Sequence, residues 1–174
     1  MGDPKKQRKK YSTSRFRWSK DELEEQLRLL GEYGLRNKRE LLKYDAFLAK
    51  FRTIARSLVG KSPLERIEAE NVLIKKLFHM GLVSENANLD DVLDLTIEDF
   101  LKRRLQTIVH NQGLGKTLPQ ARQFIVHGHI AVHEKIVTVP SYLISLEEES
   151  LIKYSKRSPF SNHNSSLQTD ITVK

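Results

Sequence analysis

The strongest constraint on this chain is a change of apolar period at Gly128. Before it, apolar side chains recur every three or four positions, as on the buried face of an amphipathic helix. After it, "HIAVH" (129–133) alternates, and "KIVTV" (135–139) follows before Pro140 stops the run. A period that drops once, and late, from about 3.6 to about 2 describes helices followed by a small sheet. The expected class is α+β. A helical N-terminal lobe precedes a module of two helices packed on a small mixed or antiparallel sheet.

Caps and glycines punctuate the helical part. In "SKDELEEQLRLLGEYG", Ser19 takes the N-cap and Glu22 the third helical position, a capping box. Leu23, Leu27 and Leu30 then form the apolar row, and Gly31 and Gly34 close the element. Asn37 and Glu40 repeat the device. The stripe that follows is Leu41, Tyr44, Leu48, Phe51, Ala55 and Leu58, ended by Gly60. Ser62, Pro63 and Glu65 start a third helix, with proline in the first turn. Ile67, Leu73, Ile74, Leu77 and Phe78 face inward along it. "SENANLDDVLDLT" is a polar turn and a short helix. Thr96 and Asp99 then cap "IEDFLKRRLQTIVHNQG", expected as one continuous helix with Leu101, Leu105, Ile108 and Val109 inward. Thr117 caps "LPQARQFIVHG", which buries Leu118, Ala121, Phe124 and Ile125 and shows Lys116, Gln120, Gln123 and His127. In the first strand Ile130 and Val132 point in, while His129, Ala131 and His133 point out. "SYLIS" and "SLIKYS" add two more short strands, and an extended tail begins at Ser155.

Charge narrows the partners. The net charge is +8, and a basic protein attracts polyanions. The charge is also segregated. Residues 1–17 hold seven Lys or Arg against one Asp, and Phe100 to His133 holds five cations and no acid. The acids gather at Asp21–Glu25, Glu85–Asp99 and Glu147–Glu149. Such segregation builds a directed field. The first segment reads as a basic arm that orders on a phosphate backbone, with Lys9, Lys10, Arg15 and Arg17 as its candidate contacts. Phe16 and Trp18 are expected to anchor it to the core. There is no cysteine, which excludes disulfides and thiolate zinc sites. No apolar run of membrane-spanning length occurs, and the first residues lack the apolar core of a secretory signal.

Three histidines, His127, His129 and His133, raise the question of a metal. On a strand, His129 and His133 lie roughly 13 Å apart, too far to share a tetrahedral ion. No metal or cofactor is expected. Imidazole beside Arg104, Lys116 and Arg122 suits phosphate or ribose instead. The free N–H groups where the helix starts at Thr117 add an anion-binding terminus. No nucleophile elbow or dinucleotide fingerprint occurs. "GLGKT" (113–117) imitates a phosphate loop with the wrong spacing. The chain is not expected to be an enzyme or to take a small-molecule substrate.

Several stretches carry a resemblance. Arg104-Leu105, Gly113-Leu114 with Thr117, Ala121-Arg122 and Gly128-His129-Ile130 match the α-L type RNA-binding motif in order and spacing. "LLGEYGLRNKRELLKY" (29–44), "IEDFLKRRLQT" (97–107) and "KYSKRSPF" (153–160) resemble the family of small-subunit ribosomal protein number four, in its archaeal and eukaryotic form. The resemblance covers roughly residues 11–160. The boundaries that follow are an arm at 1–18, a helical lobe at 19–99, the motif domain at 100–154 and a tail at 155–174. The resemblance implies two lobes that embrace a junction in small-subunit ribosomal RNA. It implies binding early in assembly, a place in the cytoplasmic small subunit near the messenger entry side, and a contribution to translational accuracy. Partners would be that RNA, neighbouring small-subunit proteins and messenger RNA, with no membrane. Carried over by position, the contacts are Tyr33, Arg36, Asn37, Lys38 and Arg39 in the first lobe. In the second they are Arg103, Arg104, Lys116, Thr117, Arg122, His127 and His129. The alternative is a stand-alone RNA-binding stress or ribosome-rescue factor, which shares the motif but not "GEYGLRNKRE". Two departures from the family pattern stand out. His133-Glu134 replaces the usual Asn-Gly at the hairpin, where a type I′ turn wants positive φ at both positions. The N-terminal cysteines of many bacterial relatives and the long basic C-terminal extension of eukaryotic ones are missing, which favours the archaeal-like form.

Overall fold

In the computed structural model the described residues are 9–13, 16 and 18–161. The organising element is α2 (Lys38–Val59), because its apolar residues stay in phase for 22 residues. Asn37 caps it, its side-chain oxygen accepting from the Glu40 N–H at 3.1 Å. All six residues of the expected stripe are buried. Around this helix pack α1 (Lys20–Glu32), α3 (Pro63–His79), α4 (Leu89–Asp94) and α5 (Ile97–Lys102). Phe47, Phe51 and Phe100 form the aromatic centre, with Phe47 edge-on to Phe51 at 4.7 Å. Arg52 donates to the carbonyls of Leu93 and Leu95, closing the end of α4.

A second apolar cluster lies between α6 (Leu105–Asn111), α7 (Leu118–Val126) and a three-stranded sheet. The strands are β1 (Ile130–Val132), β2 (Lys135–Ile136) and β3 (Ile152–Tyr154), in the order β2-β1-β3, antiparallel throughout. Gly128 makes the change from helix to strand. Its φ of +75° ends α7, and the His129 N–H then reaches back to the Phe124 carbonyl at 2.9 Å. The class is α+β, as expected.

Several local expectations fail for identifiable reasons. The helix expected across 97–113 breaks at Arg103-Arg104. There the backbone bonds another segment: Leu105 N–H donates to Tyr142 O at 2.8 Å, and Ile144 N–H donates to Arg103 O at 3.0 Å. "SYLIS" therefore supplies a single bridge, Leu143 opposite Arg104, rather than a strand. "KIVTV" is in the ladder only at Lys135 and Ile136. Leu146–Glu149 forms a one-turn helix, α8, because Ser145 and Glu148 make a capping box. Ala131 is buried although its side chain is on the outer face, since Ile136 and Lys153 flank it in register. On α1 the buried leucine is Leu29, and Leu27 is 59 % exposed. Ser19 stands at its N-cap without a side-chain capping bond. Among the described side chains of α3, Leu73 and Leu77 are buried, while Ile67 (57 % exposed) and Phe78 face outward. Trp18 is 90 % exposed and Phe16 is exposed too, so neither side chain is buried in the core as expected. Residues 155–161 fold back rather than trail: Ser155 N–H donates to His129 O at 2.8 Å, and the Phe160 ring lies 4.9 Å from that of Phe124. Positions 162–174 of the expected tail fall outside the described residues. At the hairpin, His133 alone has positive φ (56°), so the turn is not type I′.

These assignments of burial have a direct check. Leu77→Ala should lower unfolding free energy by about 2–5 kcal/mol. Leu27→Ala should change it by no more than about 0.5 kcal/mol. Urea midpoints of the two variants measure both.

Candidate nucleic-acid interface

The two lobes meet along a seam that Gln106 organises. This side chain is fully buried, and its Nε2 donates to Gly34 O at 3.0 Å and to Leu118 O at 3.1 Å. The two carbonyls therefore lie within about 6 Å of each other. Gly34 has φ +58°, and a Cβ there would come within 2.8 Å of Gln106 Nε2 and of Leu118 Cβ. Only glycine permits both the turn and the approach. The result is that the start of α2 and the start of α7 share one seam. Arg36 and Arg39 are exposed beside the first, and Lys116 and Thr117 beside the second. The Asn37 and Thr117 side-chain oxygens are already used as caps, accepting from Glu40 and Gln120 N–H respectively.

Beneath the seam sits Glu40. Its Oε2 accepts from Arg104 Nη2 at 2.8 Å, and its Oε1 accepts from Arg122 Nη2 at 2.9 Å. Arg122 Nη1 also donates to Gln106 Oε1 at 3.3 Å. Arg104 is 0 % exposed and stacks its guanidinium over the Tyr44 ring at 5.3 Å, while its Nε and Nη1 find no hydrogen-bond acceptor. Arg122 keeps 24 % of its side chain exposed. Burial would raise the Glu40 carboxyl pKa, but hydrogen bonds from Arg122 and Arg104 outweigh it and hold the pKa below its usual value. Arg103 turns the other way. It donates to Glu149 at 2.6 Å and to Ile144 O at 3.1 Å, and packs against Gly81 of the first lobe. The turn between α5 and α6, with Arg103 at φ −84°, ψ 3° and Arg104 extended at φ −71°, ψ 141°, thus sends adjacent arginines to different parts of the lobe contact. Arg104, expected at the RNA surface, is inside the protein, and Arg103 is largely so.

The remaining candidates are spread out. Tyr33 is half-buried near Glu98, and burial first, then that carboxylate, pushes its phenol upward. Lys38 is half-buried. His127 is exposed at the far end of α7, roughly 15 Å along the helix from Thr117. His129 is half-buried in an aromatic group, edge-on to Phe160 at 5.2 Å, with Nδ1 3.2 Å from Ser158 Oγ. Lys9 lies over the Tyr11 ring at 4.6 Å, and Arg39 approaches the same ring at 5.9 Å, which puts Tyr11 beside the start of α2. Lys10 lines a groove of about 410 Å³ between the lobes, with Lys43, Tyr44, Arg122 and Leu143. Arg15 and Arg17 lie outside the described residues. Glu40 and Gln106 are the site-forming residues that sequence reasoning missed. Gln106 carries one faint signal, a polar residue inside an apolar run. Among the described residues no group of three or more His, Asp or Glu is placed to hold a metal ion, and no helix is long and apolar enough to cross a membrane.

A helix–turn–helix on a small antiparallel sheet, with cations at its helix starts, defines a nucleic-acid-binding class of domain. Residues 103–150 match the S4 domain family. Similarity extends well beyond that domain. The small ribosomal subunit protein uS4 of Ignicoccus hospitalis is 49 % identical over 92 % of this chain and 96 % of its own. The protein of the same name from Picrophilus torridus is 48 % identical over 99 % and 96 %. That from Saccharolobus solfataricus is 51 % identical over 92 % and 89 %. The chain belongs to the small ribosomal subunit protein uS4 family, whose members are structural and non-enzymatic.

The Glu40 cluster predicts a pH signature. A carboxyl with a lowered folded-state pKa stabilises fully above its ordinary value of 4.5, and that contribution is lost as pH falls through the lowered value. Glu40→Gln should therefore lose less stability between pH 7 and pH 3 than the unaltered chain. At pH 7, Glu40→Ala should cost about 3–5 kcal/mol, because it leaves the Arg104 charge buried without its partner. Denaturant titrations at the two pH values measure both effects.

Proposed function

We propose that this chain is a structural component of the small ribosomal subunit, held there by direct binding to small-subunit ribosomal RNA. The observation that carries the reading is the shared seam. Two helix starts and their cations, Arg36 and Arg39 from one lobe and Lys116 from the other, are locked side by side by Gln106 and Glu40. Helix N-termini and guanidinium groups both favour phosphate oxygens. A-form RNA hides its base edges in a deep groove, so proteins read phosphates, 2′-hydroxyls and shape. A folded junction holds several backbones at fixed separations, and a rigid pair of cationic lobes matches such spacing.

In this reading the contacts are Lys9, Lys10, Arg15 and Arg17 of the arm, with Tyr33, Arg36, Asn37, Lys38 and Arg39 of the first lobe. From the second come Lys116, Thr117, Arg122, His127 and His129. Arg103 and Arg104 act from within, by setting the angle between the lobes. The full-length similarity to uS4 proteins favours this role over a stand-alone stress or rescue factor, which would share only the S4 domain. Binding early in assembly, a cytoplasmic place near messenger entry, contact with messenger RNA and neighbouring small-subunit proteins, and a part in accuracy rest on the family alone.

Titration of the purified chain against a junction fragment of small-subunit ribosomal RNA tests the mechanism. If about eight phosphates are neutralised, the log–log dependence of affinity on salt has a slope of roughly −6 to −7. A slope near zero refutes electrostatic docking. Arg36→Ala with Lys116→Ala should make the slope shallower by about one to two.

A further inference from the structure

The outer face of the sheet carries a cationic trough that the seam does not use. It encloses about 490 Å³ between the β1–β2 hairpin on one side and residues 155–157 on the other. Its floor is Ala131, set between Ile136 and Lys153 in register. A methyl group between two longer side chains leaves a hollow. Lys153, Lys156 and Arg157 stand around it, all exposed, while Lys135, opposite Val132 in register, borders it from the hairpin end. The only acid in the lining is Glu134, 3.9 Å from Lys156, and both of those side chains are more than four-fifths exposed, so the pair is weak. Among the described residues Lys135, Lys153 and Arg157 make no ion pair. Lysines on edge strands also block unwanted strand pairing, but that role requires neither the hollow nor Arg157, which lies off the strands.

The trough is on the opposite side of the sheet from the helices. Ile130, Val132 and Ile152 point into the cluster with α6 and α7, so Ala131 and Lys153 point away from it. Its only aromatic residue is Tyr154. That ring packs against Phe160 and Phe124, and its hydroxyl donates to Leu114 O at 2.6 Å. No open ring is left on which a base can stack. What the trough offers is concentrated positive charge over a shallow apolar floor, the complement of a sugar–phosphate backbone.

We propose that this face is a second RNA site, which takes the backbone of a strand other than the one held at the seam. The proposal rests on the RNA-binding reading above and extends it: the chain would bridge two RNA segments on opposite sides of its second lobe. The test compares three proteins at low salt by gel shift with a labelled junction fragment and an added unlabelled RNA duplex. These are the unaltered chain, Lys153→Ala/Lys156→Ala/Arg157→Ala, and Arg36→Ala/Lys116→Ala. The unaltered chain should form a complex holding both RNAs. The trough variant should keep the first complex, lose the second, and melt at an unchanged temperature because its altered side chains are exposed. The seam variant should weaken the first complex. For duplex binding, the trough variant should show a salt slope shallower by about two to three. Equal stoichiometry and slope for the unaltered chain and the trough variant overturns the second site and leaves the seam untouched. A trough that captures a polyglutamate peptide while the RNA complexes do not change overturns it in favour of a protein partner. No RNA bound by the unaltered chain removes both readings.

Discussion

One carboxylate holds the molecule's working geometry. Glu40 sits in the first turn of α2 and accepts from two arginines, 64 and 82 residues further on. Burying three charges is expensive, and a well-packed apolar substitute is often as stable. What the cluster provides is a fixed angle. The carboxylate at the start of α2 points at guanidinium groups from the entry to α6 and from the middle of α7, and each pair fits only one arrangement. Recognition by shape depends on that rigidity, since a lobe that swings freely must be ordered at the moment of binding.

The arginines divide into two kinds of work. Arg36, Arg39 and Lys116 face solvent at helix starts. Arg103 and Arg104 are adjacent in sequence yet grip different parts of the lobe contact. Arginine suits both tasks, because its planar fork matches carboxylate and phosphate alike and its charge persists when buried. Arg122 lies between the two kinds: tied to Glu40 and Gln106 on one side, open to the interlobe groove on the other.

What was legible in the sequence was local. The stripe of α2 was readable in full because a long helix keeps its phase and one face meets the core throughout. The caps at Asn37 and Thr117 were readable because a cap needs only three residues. The break at Arg103-Arg104 was not, since its cause is hydrogen bonding to Tyr142 and its neighbours, about forty residues away. Glu40 looked like the third residue of a capping box and proved to be the link between lobes, for the same reason. Leu27 and Ile67 were misplaced because amphipathic helices leave some apolar residues outside. Ala131 shows the converse, an outward methyl covered by longer neighbours.

The crossing of residues 103–106 with 140–144 also sets an order of events. Tyr44 of the first lobe donates to Ser141 O, and the Leu105 amide waits for Tyr142. During synthesis α1 to α5 can gather around their own aromatic centre, Glu40 and Gln106 meet their partners as residues 104–122 emerge, and residues 140–144 add their bonds afterwards. A chain synthesised only as far as α7 already carries both halves of the Glu40 and Gln106 links, and the bonds of Tyr44 and Leu105 complete the contact once Ser141 and Tyr142 follow.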